Sequence, residues 1–103
     1  MDKETRQQAL ALGRDAHALT ENAYRADVAV KGSPGWDQKQ RILMADMSLH
    51  LLQTALQEGE LDVARLKQNL YAILTIAAPL LPSHDLARQA QALLQDAADL
   101  GIE

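Results

Sequence analysis

The sequence predicts an all-α fold, an up-down-up-down four-helix bundle forming a single domain over 1–103. Three observations predict it. The apolar fraction of 48% holds no phenylalanine, one tryptophan and two tyrosines, so the core must be built largely from leucine and alanine, which favour helix over strand. Apolar residues recur at alternating spacings of three and four, the period of a helix face. Breaks marked by glycine or proline are expected near 32–36, 59–60 and 80–83 and cut the chain into segments of helical length.

The first helix is expected at about 3–31, with a seam of Ala9, Leu12, Ala16, Leu19, Ala23, Ala26 and Val30. Its alanines make a slim face, so Ala23→Leu is expected to overpack it. The run Gly32-Ser33-Pro34-Gly35 stops this helix. Asp37 is the expected N-cap of the second helix, about 37–58, whose seam is Ile42, Ala45, Leu49, Leu52 and Leu56 and whose end is Gly59. The third, about 61–80, carries Val63, Leu66, Leu70, Ile73, Ala77 and Leu80. Pro79 and Pro82 close it, Ser83 is the expected cap of the fourth, about 84–100, and Asp85 suits that helix's positive end. Leu86, Ala90, Leu93, Ala97 and Leu100 make the last seam, before Gly101.

Composition excludes several classes. The chain has no cysteine, which rules out disulfides, thiolate metal sites and a cysteine nucleophile. A net charge of −4 argues against a dedicated nucleic-acid binder. Met1 to Arg6 is too polar for a secretory signal. The longest near-apolar stretch, Leu70 to Leu81, is interrupted by Thr75 and Pro79 and is too short to span a membrane. The expected location is cytoplasmic.

The second helix is too apolar for one buried stripe. Met44, Met47, Leu51 and Ala55 form a second stripe, leaving Asp46, His50, Gln53 and Gln57 as a narrow polar strip. Either this helix lies between two neighbours, or the second stripe meets another chain, a role that suits methionine. Charge is also uneven along the bundle. Arg25, Lys31, Lys39, Arg41, His84 and Arg88 gather at the end that holds the first and third turns, and Asp2, Glu4, Glu58, Glu60, Asp62, Asp96, Asp99 and Glu103 gather at the other. Lys39 and Arg41 sit in a first turn, where the helix dipole disfavours cations. Replacing both with glutamine is therefore expected to leave stability unchanged or to raise it.

Candidate chemistry is sparse. Trp36 lies between Lys31 and Lys39 and serves either as a plug at the end of the bundle or, with Arg41 and Arg88, as a platform for a planar or anionic ligand. His50 follows Asp46 by four residues and Glu21 follows His17 by four. Each pair has the spacing of two metal ligands on one helix, but surface pairing is the ordinary account of such spacing. The Glu-x-x-His motif of bundle metal sites does not occur. No nucleophile–base set assembles around Ser33, Ser48 or Ser83. The reading is a non-enzymatic protein-interaction module of the adaptor, regulator, immunity or chaperone kind, without cofactor or metal. Its partner would be another protein or a second copy, with a homodimer formed through Met44, Met47, Leu51 and Ala55. The alternative is a ligand-sensing bundle with its pocket at Trp36, Lys31, Lys39, Arg41 and Arg88.

Overall fold

The computed structural model describes residues 1–100, with side chains through Gln95. Four α-helices follow in order, α1 (Lys3–Ala26), α2 (Trp36–Leu56), α3 (Val63–Ala77) and α4 (Leu86–Leu100), with a 3-10 turn at Ala78–Leu80 after α3. The described residues contain no strand. This is the all-α four-helix arrangement that the periodicity predicts, packed in chain order: α1 on α2, α2 on α3, α3 on α4. Among the described residues α1 and α4 form no comparable packing, so the bundle is open on that side. The radius of gyration is 15.5 Å and the extents are 44 × 35 × 22 Å, against about 13 Å for a closely packed domain of this length. Ala97, Leu100, Asp96, Asp99, Gly101 and Glu103, which the sequence assigns to the last seam, its stop and the acidic end, lie outside the residues whose surroundings are described.

Each helix end has a local cause. Asp2 caps α1, its carboxylate accepting from the Thr5 N–H at 2.7 Å. Bonds from the Thr5 backbone, then its hydroxyl, then the Glu4 backbone hold the Asp2 carboxyl below its ordinary range. A lowered carboxyl pKa means that this cap is fully formed above the unfolded carboxylate range and fades as pH falls through the lowered value. α1 ends at Ala26 rather than near 31. Asp27 turns into extended backbone, its N–H bonding Ala23 and Tyr24 carbonyls while its carboxylate accepts from the Ala29 N–H at 2.9 Å. This Asx turn offers the backbone an alternative to the helix several residues before the glycines.

Two expected caps are replaced. Gly35, not Asp37, occupies the N-cap of α2, because turns closed by Ser33 N–H to Val30 O and Trp36 N–H to Ser33 O deliver the chain directly into the helix. Asp37 falls in the first turn, where its charge still suits the dipole. Ser83 lies in the turn before α4, whose first helical bond runs from Gln89 N–H to the Asp85 carbonyl. α2 ends at Leu56, and Arg6 of α1 donates to the Leu56 carbonyl at 2.7 Å, which caps the negative end of one helix with a cation from another. Asp62 caps α3 through the Arg65 N–H at 3.0 Å.

The rotation of α1 differs from its expected seam. Leu12 and Leu19 are 70% and 72% exposed, and Ala23, Ala26 and Val30 are exposed as well. The covered face instead runs through Ala9, Gly13, Ala16, His17, Thr20 and Tyr24. Gly13 is buried, and a Cβ added to it would meet Leu52 Cδ2 at 3.0 Å. The closest approach of the two helices is therefore made at a glycine, one position and about 100° from the leucine stripe.

Gly13→Leu should accordingly force α1 from α2 and cost roughly 1–3 kcal/mol. Ala23→Leu, expected from the sequence to overpack a helix interface, should instead change the stability of the isolated chain, measured in dilute monomeric solution, by less than about 0.5 kcal/mol, because Ala23 is exposed. Chemical denaturation of the two variants beside the wild type measures both.

Candidate functional site

α2 packs against α1 on one flank and α3 on the other; of its polar strip Asp46 is buried, His50 and Gln53 are half-buried and Gln57 is exposed, and the neighbouring Thr54 is buried as well. Asp46 is 5% exposed and Thr54 3%. A buried charge needs partners, and Asp46 takes them from α1. Its Oδ1 accepts from His17 Nδ1 and from Thr20 Oγ1, both at 2.6 Å. Its Oδ2 faces His50 Nε2, one turn along α2, at 3.5 Å. The two imidazoles meet edge to face with centroids 4.6 Å apart. Thr54 Oγ1 bonds the Asn69 amide oxygen of α3. α2 is thus tied to α1 by two polar links through Asp46 and to α3 by one through Thr54.

His17 and His50 open into a cleft of about 710 Å³ between α1 and α3, floored by α2 and rimmed by Arg14, Arg65, Gln53 and Gln68. Both helical pairs read from the sequence are present: His50 beside Asp46, and His17 Nε2 at 3.9 Å from Glu21 Oε2. The sequence did not reveal the link between them, His17 to Asp46 across 29 positions. One signal pointed to it: Asp46 interrupts a run of apolar residues on a helix whose neighbours in sequence, Ala45 and Met47, belong to its two apolar stripes.

The second stripe of α2 is half-covered. Met44, Met47 and Leu51 are half-buried and Ala55 is exposed. Residues 47, 51 and 54 share a helix face, and Thr54 on that face bonds α3, so Met47 and Leu51 lie on the α3 side of α2.

The five residues assigned to a ligand at Trp36 are carried by the 27–35 connection, α2 and α4. Trp36 is half-buried as the first residue of α2, and Lys31 is exposed on the preceding connection. Lys39 Nζ donates to the Ala29 carbonyl at 3.1 Å and sits 4.8 Å from the Tyr24 ring centroid. Arg41 is exposed and points along the other side of the hairpin, where it lines a shallow groove. Arg88 pairs with Asp85 at 3.5 Å, on a helix that packs against α3 rather than α2. Lys39 therefore ties the 27–35 connection to α2, which offsets its unfavourable place in the dipole.

That groove, of about 380 Å³, runs between Leu19 and Ala23 of α1 and Ile42 and Ala45 of α2. Thr20, Gln38 and Arg41 also line it, and together with Leu12 it makes the side of the hairpin opposite the cleft the more apolar one. No helix among the described residues is long and apolar enough to cross a membrane.

The expectation that Lys39 and Arg41 are both dispensable for stability now divides. Lys39→Gln should cost about 0.5–1.5 kcal/mol, the worth of a hydrogen bond lost from a tied loop, which is several degrees of melting temperature in a domain of this size. Arg41→Gln should stay within about 0.5 kcal/mol of the wild type. Thermal melts followed by circular dichroism separate the two. No known protein family, curated protein or solved structure matches this chain.

Proposed function

We propose that the chain is a small protein-interaction module that acts as a homodimer, joined through the apolar side of the α1–α2 hairpin. The observation that carries this reading is the mismatch between its core and its surface. Among the described residues Ile76 and Ala90 are the only apolar side chains that are buried, and no large side chain is fully enclosed. Leu12 and Leu19 meanwhile project from a helix covered along one flank only. Covering a leucine contributes about 1.5–3 kcal/mol, so two exposed on one stripe are a substantial reserve for association.

A second copy suits this surface because ridge and groove lie side by side on it. A two-fold axis between two such faces would place each Leu19 ridge against the partner's Ala23–Ile42–Ala45 groove, the self-complementarity that an isologous interface requires. The alanines permit close approach of the helix axes. α1 is about 36 Å long, and a helix pair is roughly 20 Å wide, so the face offers about 700 Å², near the 800 Å² per partner of a standard interface. This moves the proposed contact from Met44, Met47, Leu51 and Ala55 to α1 and the adjoining edge of α2.

The test is the mass in solution. The wild type should sediment at twice the chain mass, and Leu12→Glu with Leu19→Glu should sediment as a monomer that keeps its helical spectrum. A wild type that stays monomeric at high concentration overturns the reading. So does a dimer that survives this double variant and is broken by Met47→Glu with Leu51→Lys while helicity is kept, which would return the contact to the second stripe of α2.

A further inference from the structure

His17, Asp46 and His50 bring two imidazoles and a carboxylate together with one ligating atom from each within 4.8 Å of the others. The set comes from two helices and sits at the floor of the polar cleft, on the side of the hairpin away from the proposed dimer contact. We propose that it binds one divalent transition-metal ion of the zinc class.

Several observations converge on this. Two ligands at about 2.0–2.1 Å from a tetrahedral ion lie about 3.4 Å apart, and Asp46 Oδ2 lies 3.5 Å from His50 Nε2. That spacing is long for a hydrogen bond and right for one edge of a coordination sphere. Asp46 Oδ1 is already held by Thr20 Oγ1 at 2.6 Å, the kind of outer partner that fixes a ligating carboxylate. The ligating atoms lie within 4.8 Å of one another, so a tetrahedral edge of about 3.4 Å is reached when the widest pair draws together by roughly 1.4 Å, shared between two side chains. The histidines have room for that, because their side chains are 24% and 38% exposed. On binding, the proton that His17 Nδ1 shares with Asp46 is released to solvent or taken up at Nε2, and the freed Nδ1 lone pair coordinates the ion as the neutral imidazole that ligation requires.

The donor set selects the ion. Imidazole suits zinc, copper, nickel and cobalt, whereas calcium and magnesium prefer all-oxygen sites. Three protein ligands leave at least one position open, and both histidines face the cleft, so that position faces solvent or a small anionic ligand drawn by Arg14 and Arg65. All three donors belong to one chain. Failure of the dimer reading and failure of this one are therefore separate results, and the experiment can be run on the Leu12→Glu, Leu19→Glu variant as well.

Zinc and cobalt(II) ions are titrated into the untagged full chain by calorimetry, with the visible spectrum of bound cobalt as a second readout. The expected result is one ion per chain, with a cobalt spectrum of low coordination number and a raised melting temperature. His50→Gln and His17→Gln should each weaken binding at least tenfold, while His84→Gln, on the turn before α4, should not change it. Circular dichroism establishes that each variant is folded. His50→Gln, at the more exposed of the two histidines, keeps the test decisive if Asp46→Asn or His17→Gln fails to fold. Absence of stoichiometric binding by the wild type overturns the proposal, as does binding that persists in folded His50→Gln or disappears in His84→Gln.

Discussion

Asp46 is a carboxylate in the middle of the central helix with one-twentieth of its surface exposed, and leaving such a group without partners would cost several kcal/mol. Its partners are His17 and Thr20 of α1. Those two bonds are short and directional, unlike the contacts of an alanine seam, and they fix the angle at which α1 rolls onto α2. With that angle set, Gly13 falls at the point of closest approach and Leu12 and Leu19 fall outside it. Polar satisfaction thus overrides apolar periodicity in the choice of buried face.

The consequence is a hairpin with two unlike sides. One carries imidazoles, amides and guanidinium groups around a cleft, and the other carries leucine, isoleucine and alanine, with Thr20, Gln38 and Arg41 beside them, around a groove. α3 docks on the remaining flank of α2 through Thr54 and Asn69. A helix with apolar residues on most of its circumference suits this layout, because α2 packs against α1 on one flank and α3 on the other. The methionines and leucines of its second stripe are half-buried in keeping with that position.

The number, order and class of the elements were legible in the sequence, because glycine and proline breaks and a 3–4 period act locally and leave no competing strand pattern. Helix ends were legible to within a few residues, and each discrepancy traces to a short-range hydrogen bond: the Asx turn at Asp27 cut α1, and the Ser33 turns displaced the cap at Asp37. The buried face of α1 was not legible. A seam of leucine and alanine at the right period is ordinarily the core face, and only the pairing of His17 with a residue on another helix reverses that rule here. The candidate metal cluster was invisible for the same reason, since its two halves were each ordinary i,i+4 pairs until the helices were placed together.

Packing in chain order has a kinetic side. When every helix leans mainly on its predecessor and successor, most tertiary contacts join segments close in sequence, and such topologies fold fast because little loop entropy is spent before contacts form. The same arrangement spreads stability unevenly along the chain, as in a linear array whose inner units have two neighbours and whose outer units have one. α2 and α3 are the inner units, so their amides should be the last to exchange with solvent, and α1 depends for its protection on the Asp46 bonds and the Arg6 clasp at the end of α2. A contact that covered α1 from its open side would turn an outer unit into an inner one, so association and folding would be coupled through a single helix.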